Sequence, residues 1–433
     1  MIRILNFLFF IFILSSCSLG DGGGFWTNEK KLKEDKLKFK SIFKKKEFIS
    51  QEFNQNFIFS LDNLSLDVNK NSYLDNNDGY TLLNKNLKNI SKYNFSKIKS
   101  FNTFEPNLIF NQGNVIFFDN NGSIFNFDIK SKLIWKVNIY SKDEKKVGPL
   151  LILSKKDNKL IVTDNLSKIY ALDLNNGKIL WSKKNNFPFN SQIKIFKNKI
   201  FVVDSSNILN CFSLIDGNLI WTHDTEKSFI NSFKKLSIII KDELVIFSNS
   251  LGHITALMQE NGSLLWQRTT QNSKKYEDIM TLKTSDLIEN NDSIFFSNNK
   301  NKFYSLDLLT GTTNWTQDIN SNLRPTVIGD YIFTISNNGY FFIIEKKTGN
   351  IIKITNLFKH LKKKEVKSLY PTGFILNSQK LFISTNNGRL LIVDLKTGQI
   401  KNVLKIDNET ISRPFVQNQY MYLIKDNSIV KLN

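Results

Sequence analysis

The chain has 433 residues, 41% hydrophobic and 13% aromatic, with 59 Lys plus Arg against 39 Asp plus Glu and a formal charge of +20. That is ample material for a large core, and too apolar for a disordered chain. Two Cys and three His exclude a disulfide framework, a Cys-based zinc domain and an iron–sulfur protein. Lys far outnumbers Arg, the more usual reader of base edges, so the charge is not taken as a nucleic-acid signal and no nucleic-acid partner is expected.

The first element is an address. Met1-Ile2-Arg3, the apolar run Ile4–Leu14 and Ser15-Ser16-Cys17 have the basic start, short core and small-residue end of a secretory signal over residues 1–16. The run is too short to span a bilayer, which takes roughly 20 residues. Leu14-Ser15-Ser16-Cys17 resembles the bacterial lipobox, which implies acylation of Cys17 and anchoring by lipid. Ser18 rather than Asp follows the Cys; by resemblance to lipoprotein sorting signals this implies the outer membrane, at its periplasmic face. Residues 17–72 then read as a tether, with a Gly-rich start at Gly20–Gly24 and nine Lys between residues 30 and 46. An anionic leaflet would attract such Lys by roughly 1 kcal/mol each near its surface.

From residue 73 to 433 the chain repeats. Four segments share an alternating strand, a polar turn ending in Gly, and a Trp four residues later: Gly177 with Trp181, Gly217 with Trp221, Gly262 with Trp266, and Gly311 with Trp315. Gly349 and Gly398 keep the turn without the Trp, and Trp135 keeps the Trp after a shorter turn that starts at Asp128. The Gly-to-Gly steps are 40, 45, 49, 38 and 49 residues, close to the 40–45 of propeller blades. Hairpin signals rich in Asn and Gly precede each motif, as at Asn386-Asn387-Gly388. Each unit therefore reads as a four-stranded antiparallel meander. Its Asp caps turn amides, and its Trp seals one blade against the next. Cys211, in an apolar stretch, reads as a buried small hydrophobe.

Seven motif copies are followed by one hairpin, Tyr420–Leu432, that lacks a fourth strand. An open ring would expose a strand edge. The expected fold is thus all-β: an eight-bladed β-propeller whose last blade is completed by an N-terminal strand near Ser91–Ile98, with Tyr93 in the place of the Trp.

No Gly-x-Ser-x-Gly, P-loop or His-Glu-x-x-His motif occurs, and His223, His253 and His360 fall in different units without i, i+4 spacing. Neither a catalytic residue, a cofactor nor a metal is expected. The Asp-x-x-(Thr/Asn)-Gly-x-x-x-Trp unit resembles the repeat of quinoprotein propellers, and together with the lipobox the chain resembles the BamB family of outer-membrane assembly lipoproteins. Asn77-Asp78-Gly79-Tyr80 resembles the segment that precedes the first blade there.

The resemblance implies a non-catalytic scaffold. It would bind the POTRA domains of BamA, alongside other subunits of the machine, as a monomer in a hetero-complex that helps β-barrels fold and insert. It places partner contacts in loops beside blades three and four, here Ile230, Phe233, Lys234 and Lys235, then Met280 and Leu282. Leu282 and Thr284 stand where the family has acidic residues, so the second loop departs from its pattern. Two other readings share the repeat. One is a periplasmic quinoprotein dehydrogenase, whose adjacent Cys pair this chain lacks. The other is a propeller that binds an envelope polymer.

Overall fold

The computed structural model describes residues 49–59, 61, 72–96, 105–227, 234–270, 282–361 and 363–433. The expected signal, Cys17 and most of the expected tether lie outside these. The described residues belong to one compact unit, Phe48–Asn433.

That unit holds eight four-stranded antiparallel sheets arranged as a propeller. Blades 1 to 7 each take four consecutive strands, running Ile109–Val137, Leu151–Lys184, Lys194–Asp224, Ile238–Thr269, Ile288–Gln317, Thr326–Asn356 and Pro371–Lys405. Within a blade the middle strands are buried almost throughout, as in Lys199–Val203 and Ile208–Ser213 of blade 3, because they are covered by both neighbouring blades. The fourth strands face outward and alternate less cleanly.

Blade 8 is composite. Phe415–Gln417, Tyr420–Lys425 and Ser428–Leu432 supply three strands, and Asn89–Asn94 supplies the fourth, antiparallel to Ser428–Leu432. The junction is held by reciprocal bonds, Asn433 N–H to the Lys88 carbonyl at 2.9 Å and the reverse at 2.5 Å. The ring is closed by its own two ends, and this pairing removes the free edge that a three-stranded blade would present.

The repeat motif works between blades. The indole N–H of Trp135, Trp181, Trp221, Trp266 and Trp315 each donates to a turn carbonyl of the following blade, at 3.0, 3.4, 3.1, 3.0 and 3.0 Å. The turn Gly of that next blade lies under the indole. A Cβ on Gly217 (φ 73°) would come 2.4 Å from Trp181 Cε3. Gly177, Gly262, Gly311 and Gly349 stand in the same relation to Trp135, Trp221, Trp266 and Trp315, and Gly398 meets Thr355 instead. Blade 6 has no Trp, and Lys353 there sends its ammonium to the Lys396 carbonyl of blade 7 at 3.1 Å.

A β-bulge falls just before the Trp position in every blade, for example between Cys211 and Phe212 against Trp221 and Leu219. In blade 8 the bulge lies between Asn89 and Ser91, which puts Ser91, opposite Lys431, at the Trp register. The expectation for Tyr93 is corrected accordingly. It sits two residues further on, opposite Ile429, with its ring buried against Phe127 at 5.6 Å between centroids. Lys431 takes over the inter-blade bond, reaching the Ile129 carbonyl of blade 1 at 3.1 Å.

Residues 49–59, within the stretch expected as tether, lie along the outer strand of blade 6. Phe53 and Ile354 exchange both backbone bonds at 3.1 Å, and Phe59 packs edge-on against Tyr331 and Phe333. Cys211 is fully buried, and burial pushes its thiol up to about 12. It is an inert core side chain.

Candidate functional site

The first strand of each blade lines the axis of the ring, where propellers carry their channel. Here that channel is threaded by the chain itself, over residues 72–83. A single helical turn, Ser72–Asp75, is followed by Asn76 in a left-handed conformation (φ 62°). That turn aims the Asn76 amide at three acceptors on two blades: Ser237 Oγ at 3.2 Å and the Ile238 carbonyl at 3.1 Å in or just before the first strand of blade 4, and the Leu287 carbonyl beside blade 5 at 2.9 Å. Asn77 exchanges two bonds with the Val327 backbone of blade 6, at 2.8 and 2.9 Å. Gly79 is required because a Cβ there would fall 1.8 Å from Thr326 Oγ1. Thr81 N–H and the Gly79 carbonyl then pair with Leu376 of blade 7, each at 2.9 Å. The motif Asn77-Asp78-Gly79-Tyr80 is thus the part of an internal plug that grips blades 6 and 7.

Asp78 is the electrostatic hub. Its Oδ1 accepts from Arg324 and from Arg413, both at 2.8 Å. Burial alone would raise this carboxyl, but the two guanidiniums override it and hold it at about 2. Arg324 also donates to Asp286 Oδ2 at 2.5 Å. Burial would likewise raise Asp286; Arg324, Lys234 and Lys235 pull it well below the carboxylate range. Arg324 and Arg413 are two of only five Arg in the chain, and each is followed by Pro just before a first strand, of blades 6 and 8. That Arg-Pro pair was the available signal for the hub. A rigid fork can serve two acceptors at once, and Lys cannot match that geometry.

Two cavities flank the hub, of about 490 and 620 Å³. Arg324 and Arg413 line both. Among the described residues no group of His, Cys, Asp and Glu is placed to hold a metal ion.

Of the residues expected to contact a partner, Ile230, Phe233 and Met280 lie outside the described residues. Lys234 and Lys235, expected in the same contact, are 5% and 7% exposed and point inward. Lys234 pairs with Glu105 at 3.5 Å and donates to the Asn322 carbonyl. Lys235 donates to the Glu105 carbonyl at 3.0 Å and Asn107 Oδ1 at 3.2 Å, and burial pushes its ammonium down to about 8. These acceptors are more than eighty residues away in sequence, so no local pattern could reveal them. Leu282 is buried as well.

Fold and channel define a class: an eight-bladed propeller of quinoprotein-type repeats, closed by its N-terminal strand and plugged by the segment before it. A family model described as outer membrane protein assembly factor BamB matches residues 96–355, and the chain belongs to that family. It is 24% identical over 314 residues to an uncharacterised protein of Rickettsia prowazekii (strain Madrid E), covering 70% of this chain and 74% of that protein. It is 22% identical over 195 residues to BamB of Moranella endobia (strain PCIT), covering 44% of this chain and half of that one. Among solved structures, BamB from Moraxella catarrhalis superposes with a TM-score of 0.65 at 14% identity, over 80% of this chain and all of that chain. A europium-containing methanol dehydrogenase gives 0.62 at 13% identity, over 80% and 87%. These two structural likenesses speak to the fold alone.

Proposed function

We propose that the chain is a non-catalytic, lipid-anchored scaffold for assembly of β-barrel proteins in the outer membrane. Membership of the assembly-factor family carries this reading. The occupied channel supports it. Asn76, Asn77 and Asp78 are committed to holding blades 4 to 8 together across the axis. In this reading Cys17 bears the lipid, the POTRA domains of BamA are the partner, and the loops carrying Ile230, Phe233 and Met280 supply the contact. An apolar anchor ringed by polar groups is the usual anatomy of such an interface.

The test is extraction in mild detergent followed by capture on the tagged chain. BamA should co-purify, and Ile230→Ala with Phe233→Ala should reduce its recovery while the folded signal stays intact. Retention on cell-wall sacculi without BamA would favour the envelope-polymer reading. A bound chromophore and alcohol-dependent dye reduction after addition of quinone and calcium would replace the scaffold with a dehydrogenase.

A further inference from the structure

The plug grips blades 4 to 7 through Asn76, Asn77 and Gly79 and touches blades 2 and 3 through Tyr73, and a cavity remains on that side of the channel. There the cavity of about 620 Å³ lies between the plug and the first strands of blades 8, 1, 2 and 3. Its walls bring together four cations, Lys155, Lys194, Arg324 and Arg413, and one carboxylate, Asp78. That carboxylate is already divided, through one oxygen, between the two Arg. Arg324 has Asp286 as a second partner, whereas among the described residues Arg413 pairs with Asp78 alone and its buried Nε has no hydrogen-bond partner.

The two Lys are less well matched still. Lys194 is 4% exposed; its ammonium donates to Asn76 Oδ1 at 2.6 Å and to the Tyr73 carbonyl, and lies 5.1 Å from the centre of the Tyr73 ring. Lys155 reaches Asn111 Oδ1 at 3.4 Å. Among the described residues neither ion-pairs with a carboxylate. Burying cations without counter-charge is costly, and a cleft lined by one sign of charge concentrates ions of the other. Burial accordingly depresses both ammoniums, Lys194 to about 7 with a further push from Arg324.

We infer that this half-channel is a binding site for a small anion bearing a carboxylate or phosphate group, seated on Arg413, Lys194 and Lys155. The Arg413 guanidinium offers a charged donor to an oxyanion, and the two ammoniums add point charges. Phe110, Ile193 and Phe415 provide an apolar wall for the ligand's body. The volume is that of a small-molecule pocket. This site is independent of the assembly role and stands whether or not BamA is captured.

The test is isothermal calorimetry on the purified full chain with citrate and, separately, with inorganic phosphate, against sodium chloride at matched ionic strength. Saturable binding of citrate alone marks a carboxylate site, and of phosphate alone a phosphate site. Lys155→Gln, which disturbs only one long hydrogen bond, should weaken that binding at least about tenfold. Lys183→Gln, on an exposed outer strand, should leave it unchanged. Lys194→Gln should also abolish the proton uptake expected at pH 8. That uptake reports the Lys194 ammonium, which is faced by Tyr73, Asp75, Asp78, Asp286 and Arg324, charging as the anion arrives. Absence of saturable binding by either probe at millimolar concentration overturns the proposal. So does binding that Lys155→Gln leaves intact, or that Lys183→Gln weakens equally.

Discussion

The turn Gly answers two demands with one residue. At Gly217 the backbone is left-handed and the indole of Trp181 occupies the space a Cβ would take. Gly217→Ala should therefore combine strain with overpacking and cost about 2–4 kcal/mol, measured by urea denaturation. Asp78 makes a second prediction at this scale. Its folded value of about 2 lies below the unfolded carboxylate value, so its contribution is present at neutral pH and is lost as pH falls from about 4 toward 2. Asp78→Asn should lower the denaturation midpoint at pH 7 and flatten the acid limb of a stability–pH profile. An unchanged acid limb would show that the hub does not titrate with folding.

Among elements, the fourth strand carries the seal in blades 1 to 6. Trp266 is buried and bonds the Leu308 carbonyl of blade 5, so Trp266→Ala should cost about 3–5 kcal/mol. Asn402 holds the same register in blade 7, and its side chain caps its neighbour Val403 rather than reaching the next blade. Asn402→Ala should fall within about 0.5 kcal/mol of the parent. The contrast separates the inter-blade role from generic strand packing. The segment 49–59 extends blade 6 by backbone pairing. Phe53→Pro removes the N–H that Ile354 accepts, and hydrogen exchange at the Ile354 amide should then accelerate.

For the whole molecule, everything depends on a contact between residues more than 330 apart, Ser91 with Lys431 and Tyr93 with Ile429. Contacts of such separation form late, because the closure entropy of a long loop must be met before they stabilise anything. A chain beginning at residue 97 should lose cooperative unfolding and aggregate through the bare edge of Ser428–Leu432. A chain beginning at residue 49 should retain a single transition in calorimetry.

The number of blades, the closing strand and the identity of the sealing Trp and Gly were legible because a repeat states its own period. Each copy must bury the same face, so the pattern recurs in the chain without reference to its neighbours. Which groups meet across blades was not legible, since the Trp of one copy lies on the Gly of the next and the bulge before it shifts the register by a residue. Tyr93 falls two places from the Trp position, and Lys353 and Lys431 make the inter-blade bond that Trp makes elsewhere. The channel lay furthest from view. Asp78, Arg324 and Arg413 are separated by up to 335 residues, and only closure of the ring brings their charges to one oxygen. Local pattern determines what must be buried. Which charges are buried together is decided by the circle, because electrostatic partnership follows distance in space and takes no account of distance along the chain.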